Sequence, residues 1–122
     1  AHRRAIHDLV IEAQEAAIER MAAGSLTAQQ LDSVARTIIA DAGYGPRFIH
    51  RLGHSIGKDV HEPPFLLEGD RTPLEEGMCF TIEPSIVTDD GAFIRVEDVV
   101  VVGPERGRNL NTTSHELRVL DL

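Results

Sequence analysis

The sequence holds a single cysteine, Cys79, so it cannot close an internal disulfide, and a lone thiol suits a reducing compartment. Basic residues are scarce: 12 Lys and Arg stand against 20 Asp and Glu, for a net charge of −8. That balance argues against a nucleic-acid partner and against an anionic membrane surface. No apolar run approaches the roughly 20 residues needed to span a bilayer. The opening stretch AHRRAIHDLV lacks both the apolar core and the small-residue cleavage site of a signal peptide. There is no internal repeat and no low-complexity linker. With 122 residues, 42% of them hydrophobic, the chain reads as one compact domain working in the cytoplasm.

What is present divides into two halves. In residues 2–43, Ile6, Leu9, Val10, Ala13, Ala17 and Met21 recur at helical spacing, with Gly24 as a stop. Thr27 and Gln30 fit a capping box that opens a second helix. Leu31, Val34, Ala35, Ile38, Ile39 and Ala42 form its apolar stripe, and Gly43 ends it. In residues 44–122 the pattern changes to strand and loop. A Gly- and Pro-rich stretch leads through the turn LEEGM to a strand in MCFTIEP, a turn at TDDG, and a return strand in AFIRVEDVVVV. The tandem Pro63 and Pro64 predict a turn, and LRVLDL predicts a last short strand. Helices first and antiparallel strands after give an α+β class: two helices packed on an antiparallel sheet.

The hairpin register follows from the residues. With a three-residue loop at 89–91, Thr88 faces Ala92 and Glu83 faces Glu97. Phe80, Ile82 and Ile86 then share a face with Ile94, Val96, Val100 and Val102, as a half-buried sheet requires. The other face carries Thr81, Glu83 and Ser85 against Arg95 and Glu97. A two-residue turn at Asp90 and Gly91 would instead set apolar residues opposite polar ones. The register leaves Asp98 on the apolar face with no reason for it.

Two like charges directly opposite destabilise a strand pair. One carboxyl can stay protonated, Arg95 can neutralise the pair, or both can share a metal ion. The plainest reading is a solvated face with a local Arg–Glu pair. The histidines add weight to the metal: His50, His54 and His61 fall within twelve residues, among glycines, and imidazole with carboxylate suits first-row divalent ions. Carboxylates that bridge two ions hold them about 3.5–4 Å apart. The stretch GHSIGK is not a phosphate loop, because three rather than four residues separate its glycines and Asp59 follows Lys58. His2, His7 and His115 match no pattern and read as surface residues.

The blocks LGHSIGKDVHEPP, EEGMCFTIEPSIV and IRVEDVVVV resemble, in order and spacing, the signature blocks of the pita-bread metallopeptidases. That family includes methionine aminopeptidase, Xaa-Pro aminopeptidase, Xaa-Pro dipeptidase (prolidase) and the non-peptidase creatinase. The resemblance covers about residues 50–102, and the helix pair before them fits the same fold. It implies a dinuclear metal centre with two Asp, one His and two Glu ligands. By motif, His54, Glu83 and Glu97 are metal ligands. His61 binds substrate or stabilises the transition state, and Glu83 also helps manage the proton. His50 and Arg95 match substrate-side residues of the proline-directed branch. Asp98 after the last Glu points to that branch too, whereas Ser55 and Ser85 stand where glycine is usual and are expected to narrow the pocket.

The resemblance therefore implies a metal-dependent exopeptidase acting on peptides with proline in the second position. Its ions are Mn or Co, with Zn or Fe as alternatives. The family's Asp ligands sit on a hairpin before the helix pair. The early acids here, Asp8, Glu12, Glu15, Glu19, Asp32 and Asp41, lie on helical segments and match no Asp motif. The chain thus resembles the C-terminal half of a catalytic domain. Alone it is expected to be inactive, to hold metal weakly, and to form a homo-oligomer through an exposed sheet edge or helix face. Three alternatives remain: a non-catalytic pita-bread binding module, a methionine aminopeptidase, or a creatinase-type hydrolase.

Overall fold

The computed structural model describes residues 2–121. Helix α1 (His2–Glu19) buries Ile6, Val10, Ala13 and Ala17 along one stripe, as the spacing predicts, and Met21 is buried just past its end. Helix α2 (Ala28–Asp41) opens on the capping box. Thr27 Oγ1 accepts from the Gln30 amide at 3.4 Å, and Gln30 Oε1 accepts from the Thr27 amide at 2.9 Å. Leu31, Ala35 and Ile39 face the core from α2, while Ala42 is exposed at the helix end.

A short 3-10 turn (Gly45–Arg47) leads into the strands. These are β1 (Gly53–Ser55), β2 (Glu62–Leu66), β3 (Cys79–Ile82), β4 (Ser85–Val87), β5 (Phe93–Arg95), β6 (Asp98–Val101) and β7 (Arg108–Asn109). Five form a sheet in the order β2-β1-β3-β6-β7, and β4 and β5 form a separate ribbon. Every strand pairing is antiparallel. The two helices and the even-numbered face of the hairpin share one apolar core, with Phe80, Ile82, Ile86, Val100 and Val102 all buried. The class is α+β, as expected.

The hairpin adopts the register read from its residues. Cys79 pairs with Val101, Ile82 with Asp98, Ser85 with Arg95 and Val87 with Phe93. Its loop closes with the Thr88 amide donating to the Ala92 carbonyl at 2.8 Å. Gly91 takes φ +85°, a left-handed conformation that glycine adopts without a Cβ penalty. The loop is fastened outward by two exposed ion pairs. Arg3 Nη2 lies 2.6 Å from Asp90 Oδ2, and Arg47 pairs with Asp89. Between β3 and β4 the ladder stops at Pro84, which has no amide to donate. Gln14 of α1 reaches into that break and donates to the Ile82 carbonyl at 3.1 Å.

Two expectations fail here. Pro63 and Pro64 form no turn. They sit inside β2, joined by a cis peptide bond, where the β1–β2 register shifts between His54 and Ser55. Prolines at such an irregularity leave no ladder donor missing. The predicted strand at LRVLDL is also absent through Asp121, the last described residue; the last strand is β7. The stretch alternates suitably, but no neighbouring strand covers it, and Val119 and Leu120 are each 74% exposed.

Candidate metal centre

Gly53 brings β1 against β3. A Cβ at Gly53 would lie 1.7 Å from the Thr81 carbonyl oxygen, so only glycine permits this approach. The His54 amide donates to Thr81 Oγ1 at 3.1 Å, and the Glu83 amide donates to the Leu52 carbonyl at 2.7 Å. These bonds fix β1 beside the end of β3 and turn His54 toward Glu83. His54 is 6% exposed. Its Nδ1 lies 2.9 Å from the Ser55 carbonyl oxygen, which can only accept, so Nδ1 carries the proton. Nε2 then presents a lone pair 3.6 Å from Glu83 Oε2.

Glu83 faces Glu97 across the hairpin break, and the two carboxyls interact directly. Glu97 is held above the ordinary glutamate range. Partial loss of solvent around its carboxyl is the largest cause, followed by the negative charge of Glu83; Arg95 pulls the other way. Arg95 Nη2 lies 3.8 Å from Glu83 Oε1 and its guanidinium rests over the Phe93 ring. The His61 ring centroid is 4.3 Å from that of His54. His50 meets the Phe93 ring edge-on at 5.8 Å. His50, His54, His61, Glu83 and Arg95 line one cavity of about 350 Å³ with Ile49, Arg51 and Leu67.

These donors suit a divalent cation. A neutral imidazole lone pair and a carboxylate oxygen are both acceptors, and they face each other at 3.6 Å. Ligand bonds of about 2.0–2.2 Å place two donors of one ion roughly 3–3.5 Å apart. The backbone bond at Nδ1 is the support that metal-binding histidines require. The set is partial: among the described residues no group of three or more His, Cys, Asp or Glu is by itself disposed to hold an ion.

The model of metallopeptidase family M24 matches residues 1–104. This chain belongs to metallopeptidase family M24. It is 48% identical over 120 residues to an Xaa-Pro dipeptidase of Lactobacillus helveticus, covering 98% of this chain and 32% of the relative. Among solved structures it superposes on a prolidase from Pyrococcus furiosus with a TM-score of 0.88 at 42% identity, covering 93% of this chain and 34% of that one. An Xaa-Pro dipeptidase from Bacillus anthracis gives a TM-score of 0.92 at 35% identity, with 98% and 33% covered. The M24 chain therefore superposes on part of the pita-bread fold and spans about a third of the length of the relatives it matches.

The three-dimensional structure gives the reason for Asp98 on the apolar face. Asp98 is 5% exposed on the apolar face. Its Oδ2 accepts from Gln14 Nε2 at 3.2 Å and Asn109 Nδ2 at 3.0 Å, and lies 2.7 Å from His115 Nε2. His115 is thus no free surface residue, contrary to expectation. Nor is His7, which is half-buried with its Nδ1 among buried atoms that have no hydrogen-bond partner. The spacing of His115 carried no signal, because its partner Asp98 lies on a different element. The expected narrowing by Ser55 and Ser85 is also missing. Both are buried, Ser55 donates to the Pro64 carbonyl at 2.8 Å, and neither lines the cavity. No helix is long and apolar enough to cross a membrane among the described residues.

Proposed function

We propose that this chain contributes the His- and Glu-bearing side of an Xaa-Pro dipeptidase site, which hydrolyses the bond before a proline in the second position. The observation that carries the reading is the opposition of Glu83 and Glu97, with the His54 Nε2 lone pair aimed at Glu83. His54, Glu83 and Glu97 would hold divalent ions, Mn or Co, two of them when the donor set is complete. Such ions supply Lewis-acid polarisation and make water a stronger acid. Glu83 stands where it can accept a proton and pass it on. His61 leans over His54 from the cavity side and would orient the scissile carbonyl. His50 and Arg95 line the same cavity and bound the substrate.

In the full-length protein, His54→Ala should lose metal by elemental analysis. His61→Ala should keep its metal and lose about a hundredfold in kcat on an Xaa-Pro dipeptide. Metal loss in the His61 variant would refute the assignment. Failure of the full-length protein, supplied with Mn or Co, to cleave any Xaa-Pro dipeptide would remove the reading. The 122-residue chain alone, with three donors, should bind metal weakly and turn over far more slowly. The β2 and β7 sheet edges and the outer helix face are the surfaces through which it should self-associate, as light scattering would show.

A further inference from the structure

Ile49, His50 and Arg51 form a wall with space on both sides. On one side is the cavity shared with His54 and Glu83. On the other is a cavity of about 510 Å³ that the same three residues line with Asp32 and Arg36 of α2. A segment between two hollows lacks the interdigitated packing that immobilises a protein interior. Its position is set instead by one ion pair.

Arg36 Nη1 donates to the Phe48 carbonyl and Nη2 to the His50 carbonyl, each at 2.8 Å. The guanidinium sits 4.0 Å over the Phe48 ring. Asp32 takes the other edge: Arg36 Nε donates to Oδ2 at 2.9 Å and Nη2 to Oδ1 at 3.1 Å. Asp32 is 3% exposed, and Arg36 is its countercharge. Asp32 Oδ1 also accepts from the Leu52 amide at 2.9 Å, and the Leu52 carbonyl accepts from the Glu83 amide at 2.7 Å. The pair therefore grips the chain before and after the wall and connects through one residue to Glu83.

We propose that Asp32 and Arg36 form a latch that positions the His50 wall against the His54 and Glu83 side, and thereby sets affinity for the peptide substrate. The proposal rests on the peptidase reading above. Both are positioning residues; their own side chains line the cavity behind the wall. The planar fork of arginine is what the geometry demands, because it serves two carbonyls and a carboxylate at once. A lysine ammonium can face Asp32 but cannot hold both carbonyls in place.

The test uses the full-length protein with Arg36→Ala and Arg36→Lys, read by hydrogen–deuterium exchange, metal content, thermal midpoint and kinetics. Arg36→Ala should speed exchange in residues 48–52 about tenfold while residues 79–82 and 98–101 keep the wild-type rate. Metal content should hold. KM for an Xaa-Pro dipeptide should rise about tenfold while kcat changes less than about threefold. Arg36→Lys should recover the midpoint and leave KM high, a split that a merely stabilising role would not produce. If Arg36→Ala does not fold, Arg36→Lys decides by the same split. Wild-type exchange at 48–52, an unchanged KM, or a KM that tracks the midpoint in both variants would overturn the latch. If the wild-type protein cleaves no Xaa-Pro peptide, the peptidase reading and the affinity role fall together, and the exchange result still decides whether the latch holds the wall.

Discussion

Glu97 and Asp98 are neighbours in the chain and opposites in their surroundings. Asp98 is buried and held by Gln14, Asn109 and His115. Glu97 is exposed as a residue and faces another carboxylate; partial loss of solvent at its carboxyl, then the charge of Glu83, holds it above the usual glutamate range. A buried carboxylate with donors from three elements ties a fold together. A carboxylate left opposite its like is a standing cost in the metal-free chain, and such costs collect where a protein works. The alternation of a β-strand is what puts these two outcomes one residue apart.

The sharpest way to break the comparison is to remove each carboxylate in turn and assay the full-length protein. Glu97→Ala should lower kcat/KM about a thousandfold and release metal, by elemental analysis. Asp98→Ala should lose activity only in step with the fraction unfolded. Equal metal loss in both variants would erase the distinction. Next in size is stability. Asp98→Ala leaves three donors without their acceptor and should cost about 2–4 kcal/mol by urea unfolding.

The opposite sign is expected at the neighbouring position. Glu97→Gln should stabilise the metal-free chain by about 0.5 kcal/mol at neutral pH. The pH dependence follows from the upward shift. A raised folded pKa gives stability that is fully present below the unfolded value and is lost as pH rises through the folded value. As pH rises through and above the ordinary glutamate range, metal-free wild type should therefore lose ground to Glu97→Gln. A flat difference across that range would show that the two carboxyls do not interact. The smallest effect belongs to Asp90, whose carboxyl is lowered to about 2 by the Thr88 hydroxyl and then by Arg3. Its contribution is present above the ordinary aspartate range and is lost as pH falls through about 2. Arg3→Ala should move only part of that acid limb, in a urea series at low pH.

The hairpin register and the capping box were legible because each depends on residues close together: a loop length with alternation, and a Thr three residues before a Gln. The facing of Glu83 and Glu97 followed from the same count. Asp98 was illegible for the converse reason, since its partners come from α1, β7 and the tail. His7 and His115 were misread alike. The tail pattern LRVLDL was real as alternation, but a strand needs a neighbour, and alternation says nothing about whether one is there. The latch at Asp32 and Arg36 reads in sequence as an ordinary i, i+4 pair, because its targets are backbone carbonyls that carry no residue label.

The turn after β4 is fastened by Arg3 to Asp90 and by Arg47 to Asp89, all well exposed. Exposed pairs contribute roughly 0–1 kcal/mol, and dissolved ions screen them over about 8 Å at physiological strength. The strand leaving that turn carries Phe93, on whose ring His50 rests, and Arg95, which points at Glu83. Ionic strength therefore reaches, along β5, the cavity that His50, Glu83 and Arg95 line.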